Sequence, residues 1–169
     1  MVAAGTAAAA AFVYSPWPAA LLIRGVFHRG ARQLVAQMEP YAPAVTEHRG
    51  IRYQDDAGTR RLDIYLPPGH TGETHVPVVF WVHGGAWISG SRRDIAPYLR
   101  MLAARGFAAV GVDYSVAPGR IYPQALLELD QAVTFLQGHA GTYGLDMDRV
   151  VLAGDSAGAQ LAAQLAAAV

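Results

Sequence analysis

An α/β class, a mostly parallel sheet with helices on both faces, is what this sequence predicts, and three observations carry the prediction. Apolar runs of strand length alternate with helical patterns from Val76 onward. The first of those runs, "VPVVFWV", is almost continuously apolar, as a strand covered on both faces must be. The intervening segments are long enough for right-handed crossovers, which puts ligand-binding loops at the carboxyl ends of the strands.

Residues 1–18 read as an apolar tail. Met1 to Ile23 carry no ionised side chain, a stretch of bilayer-spanning length. Pro16 and Pro18 interrupt it, and no Lys or Arg precedes it as in a signal peptide. A signal or anchor remnant and a packed tail both stay open, and so does localisation, whether exported, membrane-associated or cytoplasmic. Residues 19–45 predict a cap-like amphipathic helix. Leu22, Val26, Phe27, Leu34, Val35 and Met38 fall at helical spacing, with Arg24, His28, Arg29 and Arg32 largely opposite. Such a helix lies on the domain with a solvated arginine face; membrane association through residues 1–39 is the alternative.

Residues 46–169 carry the α/β pattern itself. "GIRYQD" and "TRRLDIYLP" predict an antiparallel pair, with Leu62, Ile64 and Leu66 alternating with Asp63 and Tyr65 and "DDAG" as the turn. The polar loop "PGHTGETH" leads to the buried strand from Val76. Then come "DIAPYLRMLAARG" as helix ending at Gly106, "FAAVGVDY" as strand, "PQALLELDQAVTFLQGHA" as helix, "RVVLAG" as strand and "AGAQLAAQLAAAV" as helix.

Composition removes several function classes. Hydrophobic residues make up 53% of the 169 and charged ones 15%, which excludes a disordered chain. A formal net charge of +0 gives no steering toward nucleic acid. Cysteine is absent, so neither disulfides nor thiolate metal sites are available. His28, His48, His70, His75 and His139 fall in predicted helix or polar loops without metal-ligand spacing, so no metal is implied.

Two loops carry chemistry, each after a strand and before a helix. "GDSAG", Gly154 to Gly158, fits the G-x-S-x-G elbow, in which a sharp strand-to-helix turn lifts the serine hydroxyl clear of the sheet. Side chains at Gly154 and Gly158 would collide with the neighbouring strand and helix. A lone match also describes an ordinary glycine-rich turn. "VVFWVHGGAW" supplies the second loop, in the position where hydrolases with the elbow place backbone donors for an oxyanion. Gly84 and Gly85 are the candidate donors, with the N–H of Ala157 as the third. His83 is expected to hold the loop by hydrogen bonds, Asp155 to fix the elbow, and Trp87 either to wall the pocket or to pack under the loop. Asp113 is expected to tie the "YSVAP" turn that follows it.

In "LDIYLP", "HGGAW", "VDYSVAP" and "AGDSAGAQ" the chain resembles the α/β-hydrolase carboxylesterases of the hormone-sensitive-lipase type and their kynurenine-formamidase-like relatives, over about Thr46 to Val169. The resemblance implies a serine hydrolase acting on small-molecule esters through an acyl-enzyme, with Ser156 as nucleophile, Gly84, Gly85 and Ala157 as the oxyanion hole, and the helix near residues 19–39 as part of a lid. It implies no cofactor.

Serine needs a histidine base and an orienting carboxylate, which follow it in this fold. Only Ala, Gly, Gln, Leu and Val follow Ser156. The acid and base are therefore expected outside this sequence, the fold to be truncated after the elbow helix, and the chain alone to be poorly soluble and at best weakly hydrolytic. An amidase or formamidase of the same fold, and a non-catalytic fragment that binds a membrane or a partner, are the competing expectations. Oligomeric state is left open.

Overall fold

The computed structural model describes residues 10, 13–54 and 60–168. The expected tail at residues 1–18 therefore falls largely outside the described residues, and the "DDAG" turn does so entirely. Helix α1 (Trp17–Met38) is followed by strands β1 (Thr46–Arg52), β2 (Arg61–Leu66) and β3 (Val76–Val82). Helix α2 (Ala96–Ala103), strand β4 (Ala108–Val112), helices α3 (Gln124–Gly138) and α4 (Ala140–Tyr143), strand β5 (Leu145–Gly154) and helix α5 (Ala157–Ala168) complete the order.

The five strands form one sheet in the order β1-β2-β4-β3-β5. β1 pairs with β2 and β2 with β4 antiparallel, while β3 pairs with both β4 and β5 parallel. On one face, Val78, Phe80, Val82, Val110 and Ile64 pack with Leu129, Ala132 and Leu136 of α3 and Leu161 and Leu165 of α5. On the other, Tyr65 and Ala109 pack with Leu99 and Ala103 of α2. Each of the Val, Leu, Ile and Phe side chains, fully buried, stabilises the fold by about 1.5–3 kcal/mol.

Covering both faces explains where simple alternation misleads. Leu62 to Leu66 are all buried, so Asp63 and Tyr65 do not face water as the period-two pattern predicts. Asp63 lies in the sheet at 0% exposure because it is paired: Arg92 Nε stands 2.9 Å from Oδ1, which also accepts the Gly50 N–H at 2.6 Å. Strand β5 begins at Leu145, four residues before the expected "RVVLAG", and His48 lies in β1 where a loop or helix is expected. β5 ends the sheet on its side, with Val151 56% exposed.

Helix α1 departs most from expectation. Among its residues only Ala20 is buried, and Val26 is 73% exposed. Arg24, expected on the solvated face, instead reaches inward. Its Nε donates to the Ile88 carbonyl at 2.7 Å and its Nη2 to the Ala117 carbonyl at 2.8 Å. Arg24, Phe27, Ala31 and Leu34 are spaced 3, 4 and 3, so they share one stripe, and that stripe faces the domain. Among the described residues no helix is long and apolar enough to cross a membrane.

Candidate active site

The register of the parallel pair creates the site. Val82 and Gly154, the last residues of β3 and β5, are partners, so the "HGGAW" loop and the serine elbow leave the sheet side by side. Contact there is close. A Cβ on Gly158 would meet the carbonyl oxygens of Val82 and His83, and one on Gly154 would lie 2.6 Å from the Val82 oxygen and 2.7 Å from Gly158 C. Both collisions are with backbone, which cannot swing away, so only glycine lets α5 start directly beneath β3.

Ser156 is exposed at the tip of the elbow with φ 51°, a left-handed conformation that costs a non-glycine residue about 1–2 kcal/mol. Among the described residues no hydrogen bond engages its hydroxyl. Ala157 follows as the buried first residue of α5, and its N–H has no partner among the described residues. Asp155 ties the elbow to the neighbouring strand, its Oδ1 accepting the Gly84 N–H at 3.0 Å and the Trp81 Nε1–H at 3.2 Å.

That contact alters the expected set of donors. Gly84 N–H, expected to face an oxyanion, is engaged by Asp155. In the same loop the N–H groups of Gly85 and Ala86 have no partner among the described residues. Gly85 has φ 120°, and Ala86 and Trp87 have φ 53° and 57°, so three consecutive residues are left-handed. Such conformations persist only where surrounding contacts hold them. Here Ile88 N and Ser89 N donate to the Gly85 carbonyl at 3.0 and 2.9 Å, and Ala117 N donates to the Trp87 carbonyl at 2.7 Å.

His83 is 3% exposed and stacks on Tyr114 with ring centroids 4.3 Å apart. Its Nδ1 faces the Gly84 carbonyl at 2.8 Å; a carbonyl only accepts, so Nδ1 carries the proton. Burial lowers its pKa from the usual histidine value, which favours the neutral ring. The Tyr114 hydroxyl, its own pKa raised by burial, donates to the His83 carbonyl at 2.6 Å. Asp113 does not tie the turn after it as expected. Its Oδ1 accepts from Arg92 N at 2.8 Å and Ser91 Oγ at 3.3 Å, so it anchors the loop leading to α2.

A cavity of about 420 Å³ opens over Ser156. His83, Gly84, Gly85 and Asp155 form its floor, and Val26, Phe27, Gly30, Ala31 and Leu34 of α1 form an apolar wall. Asp94 reaches the same cavity, with its carboxyl held above the usual range by burial. Trp87 lies elsewhere: it is 49% exposed, donates Nε1–H to Gln160 Oε1 at 3.3 Å and lines a second cavity with Ser115, Tyr122 and Leu161. Among the described residues, no group of three or more His, Cys, Asp or Glu side chains could hold a metal ion. The free N–H of Ala86 and the inward reach of Arg24 are not expected from the sequence. Only the 3-4-3 spacing of Arg24 with Phe27, Ala31 and Leu34 could have pointed to the latter.

With this geometry in place, similarity to known proteins becomes informative. The family model described as BD-FAE matches residues 62–169. The chain is 31% identical over 112 residues, 66% of its length, to the probable carboxylic ester hydrolase LipM of Mycobacterium tuberculosis, and covers 26% of that protein. Among solved structures it is similar to the Pyrobaculum calidifontis esterase, with a TM-score of 0.78 and 28% identity over 88% of this chain and 47% of that one. It is also similar to esterase B of Lactobacillus rhamnosis inhibited by a tributyrin phosphonate, with a TM-score of 0.77 and 27% identity over 88% and 49% of the two chains. The chain thus spans about a quarter of LipM and about half of each of the two solved esterases.

Proposed function

Because the chain belongs to the BD-FAE family and has the α/β-hydrolase fold of the esterases it is similar to, we propose that it carries the nucleophile and the oxyanion-binding loop of a serine carboxylesterase. The observation that carries this reading is the strained, exposed Ser156 beside free backbone N–H groups at the foot of an apolar-walled cavity. Ser156 Oγ attacks the ester carbonyl as a histidine takes its proton. The carbonyl oxygen becomes an oxyanion, stabilised by the N–H groups of Gly85 and Ala157, with Ala86 in the place first expected for Gly84. Collapse expels the alcohol, protonated by the histidine, and leaves an acyl-serine that water hydrolyses by the same steps reversed.

The acid and base belong, on this reading, outside residues 1–169. Neither the hydrogen bonds of His83 nor its burial suits it to the role: its protonated Nδ1 is committed to the Gly84 carbonyl. Residues 1–169 alone are therefore expected to turn over esters slowly at best. The substrate is a small ester with an apolar part seated on α1. The exposed apolar residues Leu21, Leu22 and Val26 of that helix, beside Arg29 and Arg32, favour a second reading, contact with an anionic membrane surface. Val151 on the exposed edge of β5 favours a third, a non-catalytic contact with a partner protein.

Turnover of p-nitrophenyl esters of increasing acyl length, beside matched anilides, by protein expressed from the complete natural gene tests the proposal. Ester hydrolysis that Ser156→Ala abolishes, with anilides much slower, is the expected result. Ester turnover that survives Ser156→Ala overturns it, and anilides turned over faster than esters would assign an amidase instead.

A further inference from the structure

Helix α1 contributes more than an apolar wall. One guanidinium, that of Arg24, joins the helix to two separate loops: it donates to Ile88 O at 2.7 Å and to Ala117 O at 2.8 Å. Those loops are themselves joined by the bond from Ala117 N to Trp87 O at 2.7 Å. The planar fork of arginine suits two carbonyls held at fixed positions, which a lysine ammonium would not reproduce. Trp17, two turns earlier on the same face of the helix, lies under the guanidinium with Cζ 5.7 Å from the ring, which limits its movement.

The segment so held is the unusual one. Gly85, Ala86 and Trp87 are successively left-handed, and two of the three carry a Cβ that disfavours this conformation. Local bonds from Ile88 N and Ser89 N close the turn on the Gly85 carbonyl, but they lie within the turn and fix nothing relative to the sheet. Tertiary anchorage comes at its two ends. Gly84 N is held by Asp155 at one end, and the carbonyls of Trp87 and Ile88 are held by Ala117 and Arg24 at the other.

We propose that Arg24 is a positioning residue for the Ser156 site, clamping the Gly85–Trp87 turn so that the free N–H groups of Gly85 and Ala86 are pre-set for the oxyanion. This rests on the serine-esterase reading, but the clamp itself can be measured without it.

The test, in protein expressed from the complete natural gene, uses Arg24→Met, Arg24→Lys and Arg24→Ala, with Gln37→Ala on the exposed side of the same helix as control. Steady-state ester kinetics should show kcat reduced about 10²-fold with KM little changed, as misplacement of reacting groups by a distant substitution does. Arg24→Lys should remain impaired, methylguanidinium should restore part of kcat to Arg24→Ala, and Gln37→Ala should behave as the parent. A higher KM at unchanged kcat would show that Arg24 only anchors the cavity wall, and would overturn the proposal. Independently of turnover, amide exchange at Ile88, Ser89 and Ala117 should quicken in Arg24→Met while β3 and β4 stay protected. Unchanged exchange at those three amides, or faster exchange throughout β3 and β4, contradicts a local clamp. If the parent shows no Ser156-dependent turnover, the esterase reading fails and the exchange result alone decides the clamp.

Discussion

Adding one methyl group at Gly158 should damage this fold more than most single substitutions. A Cβ there would lie 2.5 Å from His83 O, nearer still to Val82 O, and 2.7 Å from His83 C. Ordinary van der Waals contact begins about 1 Å farther out, and every obstructing atom is backbone at the end of β3. Relief requires α5 to move away from β3, which strips contacts from Leu161 and Leu165 and pulls the elbow from the "HGGAW" loop. Overpacking costs about 1–3 kcal/mol, and rigid neighbours put Gly158→Ala at the upper end. For a domain of this size that lowers Tm by about 6–12 °C. Thermal unfolding followed by circular dichroism reads the shift, with Gly25→Ala as the counterpart. A Cβ at Gly25 meets nothing within 4 Å in α1, so that variant should gain about 1 kcal/mol from helix propensity. A Gly158→Ala protein melting with the parent would refute the claim that elbow and strand are in forced contact.

Other expectations follow from the same contacts. Asp155→Ala should destabilise by about 1–2 kcal/mol in chemical denaturation, since it removes the acceptor for Gly84 N and Trp81 Nε1 at a partly solvated site, whereas Asp155→Asn should retain most of that stability. Arg92→Met should cost about 3 kcal/mol, because it takes the nearer guanidinium from Asp63 at 0% exposure and leaves it Arg49 Nε at 3.9 Å and the Gly50 N–H; a loss under 1 kcal/mol in the same assay would contradict a buried pair. His83, lowered by burial, binds its proton more readily unfolded than folded. Its contribution to stability is thus full above the ordinary histidine value and is lost as pH falls through and below it. Asp94, raised by burial, acts in the opposite sense at lower pH. Tm of His83→Asn should accordingly fall less than that of the parent between pH 7.5 and 5.5, and equal slopes would count against a buried neutral ring.

The strands and crossovers were legible because burial on both faces leaves an unambiguous mark: "VPVVFWV" and "FAAVGVDY" have no other use. The same burial hid Asp63 and Tyr65, since alternation of polar and apolar residues predicts water on one face, and the partner that makes Asp63 tolerable, Arg92, is 29 residues away. The elbow was legible through its glycines, whose spacing is dictated by backbone collision. Which backbone N–H groups are free was not, because that depends on where Asp155 points, and sequence holds no trace of a side-chain rotamer. Arg24 was misread for a related reason. An arginine on an amphipathic helix is normally solvated, and only the carbonyls of Ile88 and Ala117, brought together by folding, make the inward orientation favourable.

Ser156 as nucleophile is the premise of the proposed chemistry, and its reactivity can be read directly. Protein purified from its native source should be treated with an alkyl fluorophosphonate and its proteolytic peptides read by mass spectrometry. A phosphonyl adduct on Ser156 that appears as ester hydrolysis disappears is the expected result. An adduct on another residue, or full loss of hydrolysis with Ser156 unmodified, would contradict it.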